Sequence, residues 1–269
     1  MLTNYHTHST FCDGKSTPEE TVKAAIARGF HAIGFSGHGY TDYDPRYCMK
    51  DTDGYRLEIL RLRELYKKEI EIYLGVEEDS HFLQKREDFD YIIGSCHYIE
   101  SRNGLFPFDS NYETYFLGAL AELDDDPIRL ATVYYNHFCT YILSRRPDVI
   151  GHFDLPTKFD EKYINRFLLS PTYWSIAEKA TRTALQSGSF FEVNTGLMAR
   201  GFRTMPCPHE RLLHLICKGG GEVVLSADAH ATNTLDFAFE ETRARLYDIG
   251  FRHTRVLYGG EWRRDPLTI

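Results

Sequence analysis

The side chains able to do chemistry in this sequence arrive at intervals, each just after a short apolar run. His6 and His8 close the run that begins at Leu2. Residues two apart on an extended chain project to the same side, so this pair can share one cation. Asp13 follows a few residues on, His38 ends the next run, Glu77 lies in Gly75-Val76-Glu77-Glu78-Asp79, and His97 follows Gly94-Ser95-Cys96. His152 closes Ile150-Gly151-His152, and Asp228 and His230 follow Leu225-Ser226. A lone histidine is most simply a hydrogen-bonded structural residue, and His31, His81, His137, His209, His214 and His253 are read that way. The nine residues His6, His8, Asp13, His38, Glu77, His97, His152, Asp228 and His230 are read differently. So many ionisable groups gathered without compensating charge would be costly to bury, and divalent cations supply that charge. Nine donors exceed what one catalytic ion uses and suit two or three ions that share a carboxylate and keep open positions. Nitrogen and oxygen donors fit zinc, iron or manganese better than calcium or magnesium alone.

The elements that must position these residues follow from hydrophobic period. Strands are expected over Leu2 to His6, Ala32 to Phe35, Ile70 to Val76, Tyr91 to Ser95, Val149 to Gly151, Phe190 to Asn194 and Glu222 to Ser226. Helical patterns run over Pro18 to Arg28, Gly54 to Lys68, Asn111 to Leu123, Pro127 to Ser144, Thr172 to Ser187, Pro208 to Lys218 and Leu235 to Ile249. Strand then helix, repeated, predicts an α/β fold with parallel strands under covering helices. Six of the seven strands then deliver His, Asp or Glu at the carboxyl end, where a parallel barrel gathers its catalytic groups. The sixth, ending Val193-Asn194-Thr195-Gly196, is expected to supply none. Thr17-Pro18-Glu19-Glu20 reads as a helix start, and Asp124 to Asp126 before Pro127 as a solvated one. Gly219 to Gly221 precedes a strand, so it reads as a turn rather than a phosphate loop. No linker or repeat interrupts the pattern, and residues 1–269 are expected to form one domain.

Composition narrows the function classes. In 269 residues, 42% are hydrophobic and 26% charged, the balance of an ordinary globular chain. The formal charge of -8, from 39 acidic against 31 basic residues, argues against a broad basic face for nucleic acid. No apolar run approaches the roughly 20 residues of a membrane span, and the opening MLTNYHTHST has no basic-then-apolar targeting pattern, so a cytoplasmic address without membrane contact is expected. The six cysteines are scattered with no CxxC pair, which reads as buried thiols in a reducing compartment. Nothing in the sequence fixes an oligomeric state.

The ordered series HTHSTFCDG, SGH, GVEED, GSCH, GHFD and SADAH resembles the PHP superfamily of metal-dependent hydrolases. Within it, the helical insertion between His97 and His152, the GHFDLPTK stretch and EVNTGLMARG resemble the histidinol-phosphate phosphatases of histidine biosynthesis. The resemblance implies a distorted (β/α)7 TIM-like barrel with a trinuclear centre. His6, His8, Glu77 and Asp228 would hold one metal. Glu77 would bridge to a second, held also by His97 and His152, while Asp13, His38 and His230 would hold the third. Many members have histidine where this chain has Asp13, and an acidic residue where it has Gly37. The implied reaction is hydrolysis of L-histidinol phosphate by a metal-bridging hydroxide. Lys158, six residues past His152, and Arg200, in the loop after the sixth strand, are the expected cationic partners of the phosphoryl group, with Arg203 a weaker spare. Asp228 or a metal-bound water would protonate the leaving group. Tyr40, Tyr43 and Asp109 are candidates for recognising imidazole and ammonium. The alternatives are another small phosphate ester, such as a nucleotide or sugar phosphate, and a non-catalytic metal-binding domain.

Overall fold

The computed structural model describes residues 1–268. Seven parallel strands form a nearly closed barrel: β1 (Thr3–Asn4), β2 (Ala32–Phe35), β3 (Glu71–Asp79), β4 (Tyr91–Ser95), β7 (Val149–Ile150), β8 (Phe190–Asn194) and β9 (Val223–Ser226), adjacent in that order. Thr3 pairs with Ala32, Ala32 with Glu71, Gly75 with Tyr91, Ile93 with Val149, Val149 with Phe190 and Phe191 with Val223. A parallel bridge between Thr7 and Ala229 brings the first and last strands together, with His8 N donating to Ala229 O at 2.8 Å and Ala229 N to His6 O at 3.0 Å. The helices α1 (Pro18–Ala27), α2 (Thr52–Tyr66), α3 (Leu117–Glu122), α4 (Pro127–Arg145), α5 (Pro171–Ala184), α6 (Gly196–Ala199), α7 (Glu210–Lys218) and α8 (Phe239–Ile249) complete the fold.

Local sequence explains the helix starts. Thr17 caps α1 in a reciprocal box: its side chain accepts from Glu20 N at 3.2 Å, and Glu20 accepts from Thr17 N at 2.8 Å. Asp126 caps α4 and Ser170 caps α5, each followed by proline in the first turn. The acidic run thus includes a cap, and Gly219 to Gly221 forms the turn into β9.

The structure changes several expected boundaries; α8, for one, starts at Phe239 rather than Leu235. β1 is cut to Thr3–Asn4, and β3 runs on through Asp79 because its ladder with β4 continues to Asp79 opposite Ser95. The helix expected over Asn111 to Leu123 opens with one wide turn, Tyr112–Phe116, before α3. Two antiparallel hairpins were not expected. One, β5 (Tyr98–Ser101) with β6 (Gly104–Pro107), follows His97; the other, β10 (His253–Tyr258) with β11 (Glu261–Pro266), turns at Gly259-Gly260.

The second hairpin plugs the amino-terminal end of the barrel. Trp262 packs edge-on against Tyr5, Tyr91 and Phe190, and Tyr5 Oη donates to Leu257 O at 2.7 Å. Tyr91 is fully buried there and donates to Tyr5 O at 2.5 Å. Gly75 must be glycine, since a Cβ would stand 2.2 Å from the Tyr91 ring. A larger apolar core, including Phe35, Phe138, Phe153 and Phe191, lies between strands and helices. Among the described residues no helix is long and apolar enough to cross a membrane.

Candidate metal centre

All nine sequence-selected donors meet at the carboxyl ends of the strands, and Glu77 stands at their centre. Its Oε1 lies 2.9 Å from His152 Nε2 and 3.3 Å from His97 Nε2. Its Oε2 lies 2.9 Å from His38 Nδ1, 3.3 Å from His6 Nε2 and 3.6 Å from His8 Nε2. Asp228 Oδ1 faces His8 Nε2 at 3.2 Å, His230 Nδ1 at 3.6 Å and His6 Nε2 at 3.7 Å. Asp13 faces His8 Nδ1 and His230 Nε2, each at 3.3 Å, and His38 Nε2 at 3.6 Å. Three metal-sized groups result: His6, His8 and Asp228; His38, Glu77 and His97; and His8, Asp13, His38 and His230. His38 therefore stands between Glu77 and Asp13, where the resemblance grouped it with Asp13 and His230 alone.

The donor chemistry fits cations. His6 Nε2, His8 Nε2 and Glu77 Oε2 are buried without a hydrogen bond, although opposing donor atoms lie close by. Atoms arranged to point at a common space rather than at one another are what a bound ion requires. The electrostatics agree. Burial alone would lower His6 and His38, but Glu192, Glu77 and Asp228 hold His6 up to about 10, and Glu77 and Asp13 do the same for His38. Against the opposing effect of burial, the histidines hold Glu77 well below the usual carboxylate range, and Arg200 with the histidines does so for Asp228. These groups compete for positive charge that divalent ions would provide.

Further residues orient these donors, and sequence reading missed the most important. Glu192, fully buried on β8, accepts from His6 Nδ1 at 2.6 Å, from His152 N at 2.8 Å and from Asn194 Nδ2 at 3.0 Å. The sixth strand, expected to contribute nothing, thus sends an acid beneath the cluster. Its signal was an ionisable residue inside the apolar run Phe190-Phe191-Glu192-Val193. Asp79 accepts from His97 N at 2.8 Å and faces His97 Nδ1 at 3.1 Å. Such carboxylate contacts fix the tautomer and turn the other ring nitrogen toward the ion. Gly37 is explained by packing: a Cβ there would lie 2.8 Å from Cys12 Sγ, which fills that space. Asp228 sits at φ 47°, a left-handed backbone uncommon outside glycine and a form of strain that clusters at functional sites.

Above the cluster opens a cavity of about 460 Å³ whose lining includes Asp13, Glu77, His97, His152, Lys158 and Arg200. Arg200 donates to Asp228 Oδ2 at 2.9 Å, and Lys158 Nζ is 3.3 Å from Asp109 Oδ2. Burial lowers the Lys158 pKa, opposed by Asp109, while Lys158 leads the charges that lower Asp109 against its own burial. Arg203 is not at the cavity. Fully buried, it donates to Asp154 at 3.2 Å and to Thr157 Oγ1 at 2.8 Å, which makes it a structural cation rather than a spare phosphate ligand. Tyr40 and Tyr43 do not line the cavity either: Tyr40 is exposed, and the Tyr43 hydroxyl donates to Leu105 O. Tyr47, Tyr98 and Tyr115 line it instead, with Asp44, Arg46 and Asp109.

The comparisons with known proteins follow the same pattern. A Schizosaccharomyces pombe protein described as a probable histidinol-phosphatase is 28% identical, over 93% of this chain and 87% of that one. A Lactococcus lactis subsp. lactis histidinol-phosphatase is 23% identical, over 99% and 98%. The solved Lactococcus lactis histidinol phosphate phosphatase, a complex with zinc, L-histidinol and phosphate, shares the fold with a TM-score of 0.68 at 19% identity, covering 97% of this chain and 98% of that one. The PHP domain model matches residues 4–196, well over half of the sequence, and the chain belongs to the PHP domain family.

Proposed function

We propose that the chain is a metal-dependent phosphomonoesterase that hydrolyses L-histidinol phosphate to L-histidinol and phosphate. The observation that carries this reading is the lining of one cavity, which brings metal-type donors together with the cations Lys158 and Arg200 and with Asp44 and Asp109 among tyrosine rings. The full-length similarity to proteins named histidinol-phosphatase supports the substrate. His6, His8, Asp13, His38, Glu77, His97, His152, Asp228 and His230 would hold three divalent ions of the zinc, iron or manganese class. When bound, such ions supply Lewis acidity and a nucleophilic water ionised near neutral pH.

The chain's own residues do the rest. Arg200, anchored on Asp228, and Lys158 offset the charge that develops on the phosphoryl oxygens. Recruitment of Lys158 by the phosphoryl group frees Asp109 to receive the ammonium group of the substrate. Asp228, ion-paired with Arg200 and faced by His8, is kept ionised and serves as a metal donor rather than as the acid for the leaving oxygen.

A steady-state screen of phosphate esters on metal-replete protein tests the reading. Histidinol phosphate should be turned over far faster than nucleotide, sugar or p-nitrophenyl phosphates, and chelator treatment should abolish the activity until metal is restored. Equal rates for all esters would remove the substrate assignment. Fewer than two metal equivalents in the reconstituted protein would remove the multinuclear one.

A further inference from the structure

Two segments that carry no metal-type donor meet at the cavity. Each leaves the barrel directly after such a donor: residues 39–51 follow His38 between β2 and α2, and residues 98–116, comprising β5, β6 and the wide turn, follow His97. The first lines the cavity with Asp44, Arg46 and Tyr47, the second with Tyr98, Asp109 and Tyr115. Distant in sequence, they are joined by three hydrogen bonds. The Tyr43 hydroxyl donates to Leu105 O, the Tyr47 and Tyr98 hydroxyls share a bond of 2.5 Å, and Arg46 Nη1 donates to Tyr115 Oη at 2.6 Å.

Arg46 holds both segments with one side chain. Its Nε and Nη2 fork onto Asp44 Oδ1 and Oδ2 at 2.7 and 2.6 Å, and its guanidinium lies 5.5 Å from the centre of the Tyr115 ring. The Arg46 side chain is 67% exposed and that of Asp44 only 10%. A side chain that lines a cavity and is two-thirds exposed stands at its opening. So exposed an ion pair adds little to stability, whereas a planar fork with a third donor fixes geometry. We propose that Arg46 is a positioning residue that determines specificity: by clasping the two segments it narrows the opening, so that small phosphomonoesters enter and a phosphate carried on a peptide does not. The cavity, about 460 Å³, lies toward the small end of pockets that take small molecules. The inference rests on the phosphomonoesterase reading of the site, but not on histidinol phosphate as its substrate.

Two esters with the same kind of leaving group and different bulk, p-nitrophenyl phosphate and a phosphotyrosine peptide, test it on the metal-replete full chain. The parent should favour the small ester in kcat/KM. In Arg46→Ala that preference should fall about tenfold or more, chiefly through a lower KM for the peptide. A merely structural loss would lower kcat for both esters alike and leave the preference in place. Arg46→Lys keeps a charge beside Asp44 but not the fork, so it should follow Arg46→Ala. Amide hydrogen exchange supplies a readout that needs no turnover: residues 39–51 and 98–116 should exchange faster in Arg46→Ala, with the barrel strands unchanged. A parent that accepts the peptide as readily as the small ester, an unaltered preference in Arg46→Ala, a parental preference in Arg46→Lys, or unaltered exchange in both segments would each overturn the proposal. A parent that shows the preference yet turns over histidinol phosphate no faster than p-nitrophenyl phosphate would remove the substrate assignment and leave the clasp standing.

Discussion

Replacing Glu192 with glutamine conserves volume but removes the one group that orients two strands' worth of donors. The carboxylate accepts from His6 Nδ1, His152 N and Asn194 Nδ2 at once. Glutamine has a single acceptor oxygen. If that oxygen faces His6, the amide NH2 is driven against the His152 N–H; if it faces His152, the NH2 meets His6 Nδ1 and selects the tautomer whose proton sits on Nε2, the atom turned toward Glu77 and Asp228. Either arrangement forfeits a charge-assisted hydrogen bond in a fully buried place, about 1.5–3 kcal/mol. At tenfold per 1.4 kcal/mol, metal affinity should fall about ten- to a hundredfold. Chelator competition would measure that affinity, and kcat at saturating metal would show how much activity returns once the site is filled. Affinity in Glu192→Gln within twofold of the parent would refute the claim that this acid sets the His6 tautomer.

Arg200→Ala should lower kcat/KM for the phosphoester about a hundredfold or more with metal content intact, as metal analysis beside steady-state kinetics would show; unchanged kinetics would take Arg200 out of the reaction. Arg203→Ala should cost about 3–5 kcal/mol in denaturant unfolding, because it strands the Asp154 charge where both groups are fully buried. Adding Asp154→Asn should recover part of that loss, and a purely additive double variant would contradict the pairing. Glu222, held by Arg255, His253 and Arg264 against the effect of burial, has its pKa lowered from 4.5 to about 2. A depressed folded-state value stabilises above the unfolded pKa and is lost on acidification. The Tm advantage of the parent over Glu222→Gln should therefore be full near neutrality and shrink between pH 4.5 and 2, and a pH-independent gap would count against this assignment.

The metal-type donors were legible because a parallel barrel forces them to one rim, so nine scattered residues had a single place to meet. β2, β4 and β8 matched their expected limits since each is a buried apolar run with clear edges. What escaped lay off that pattern. Glu192 is hidden from a pattern of strand-end donors because it lies two positions before the end of β8, where alternation places it on the same face as Asn194. Both hairpins carried turn signals, Asn103-Gly104 and Gly259-Gly260, yet an antiparallel pair has no place in a strand–helix repeat. The separation of Arg200 from Arg203 was beyond spacing, since only the fold decides that Arg203 turns inward to Asp154.

Trp262 and its hairpin close the amino-terminal end of the barrel, opposite the cavity at the carboxyl ends of the strands. In the proposed reaction nothing can leave by the back. The phosphate, held over the buried donors Glu77, His97 and His152, would then be released after the alcohol. Traffic is then last in, first out. Inorganic phosphate should compete directly with the substrate, while the free alcohol should inhibit in a mixed pattern by trapping phosphate beneath it.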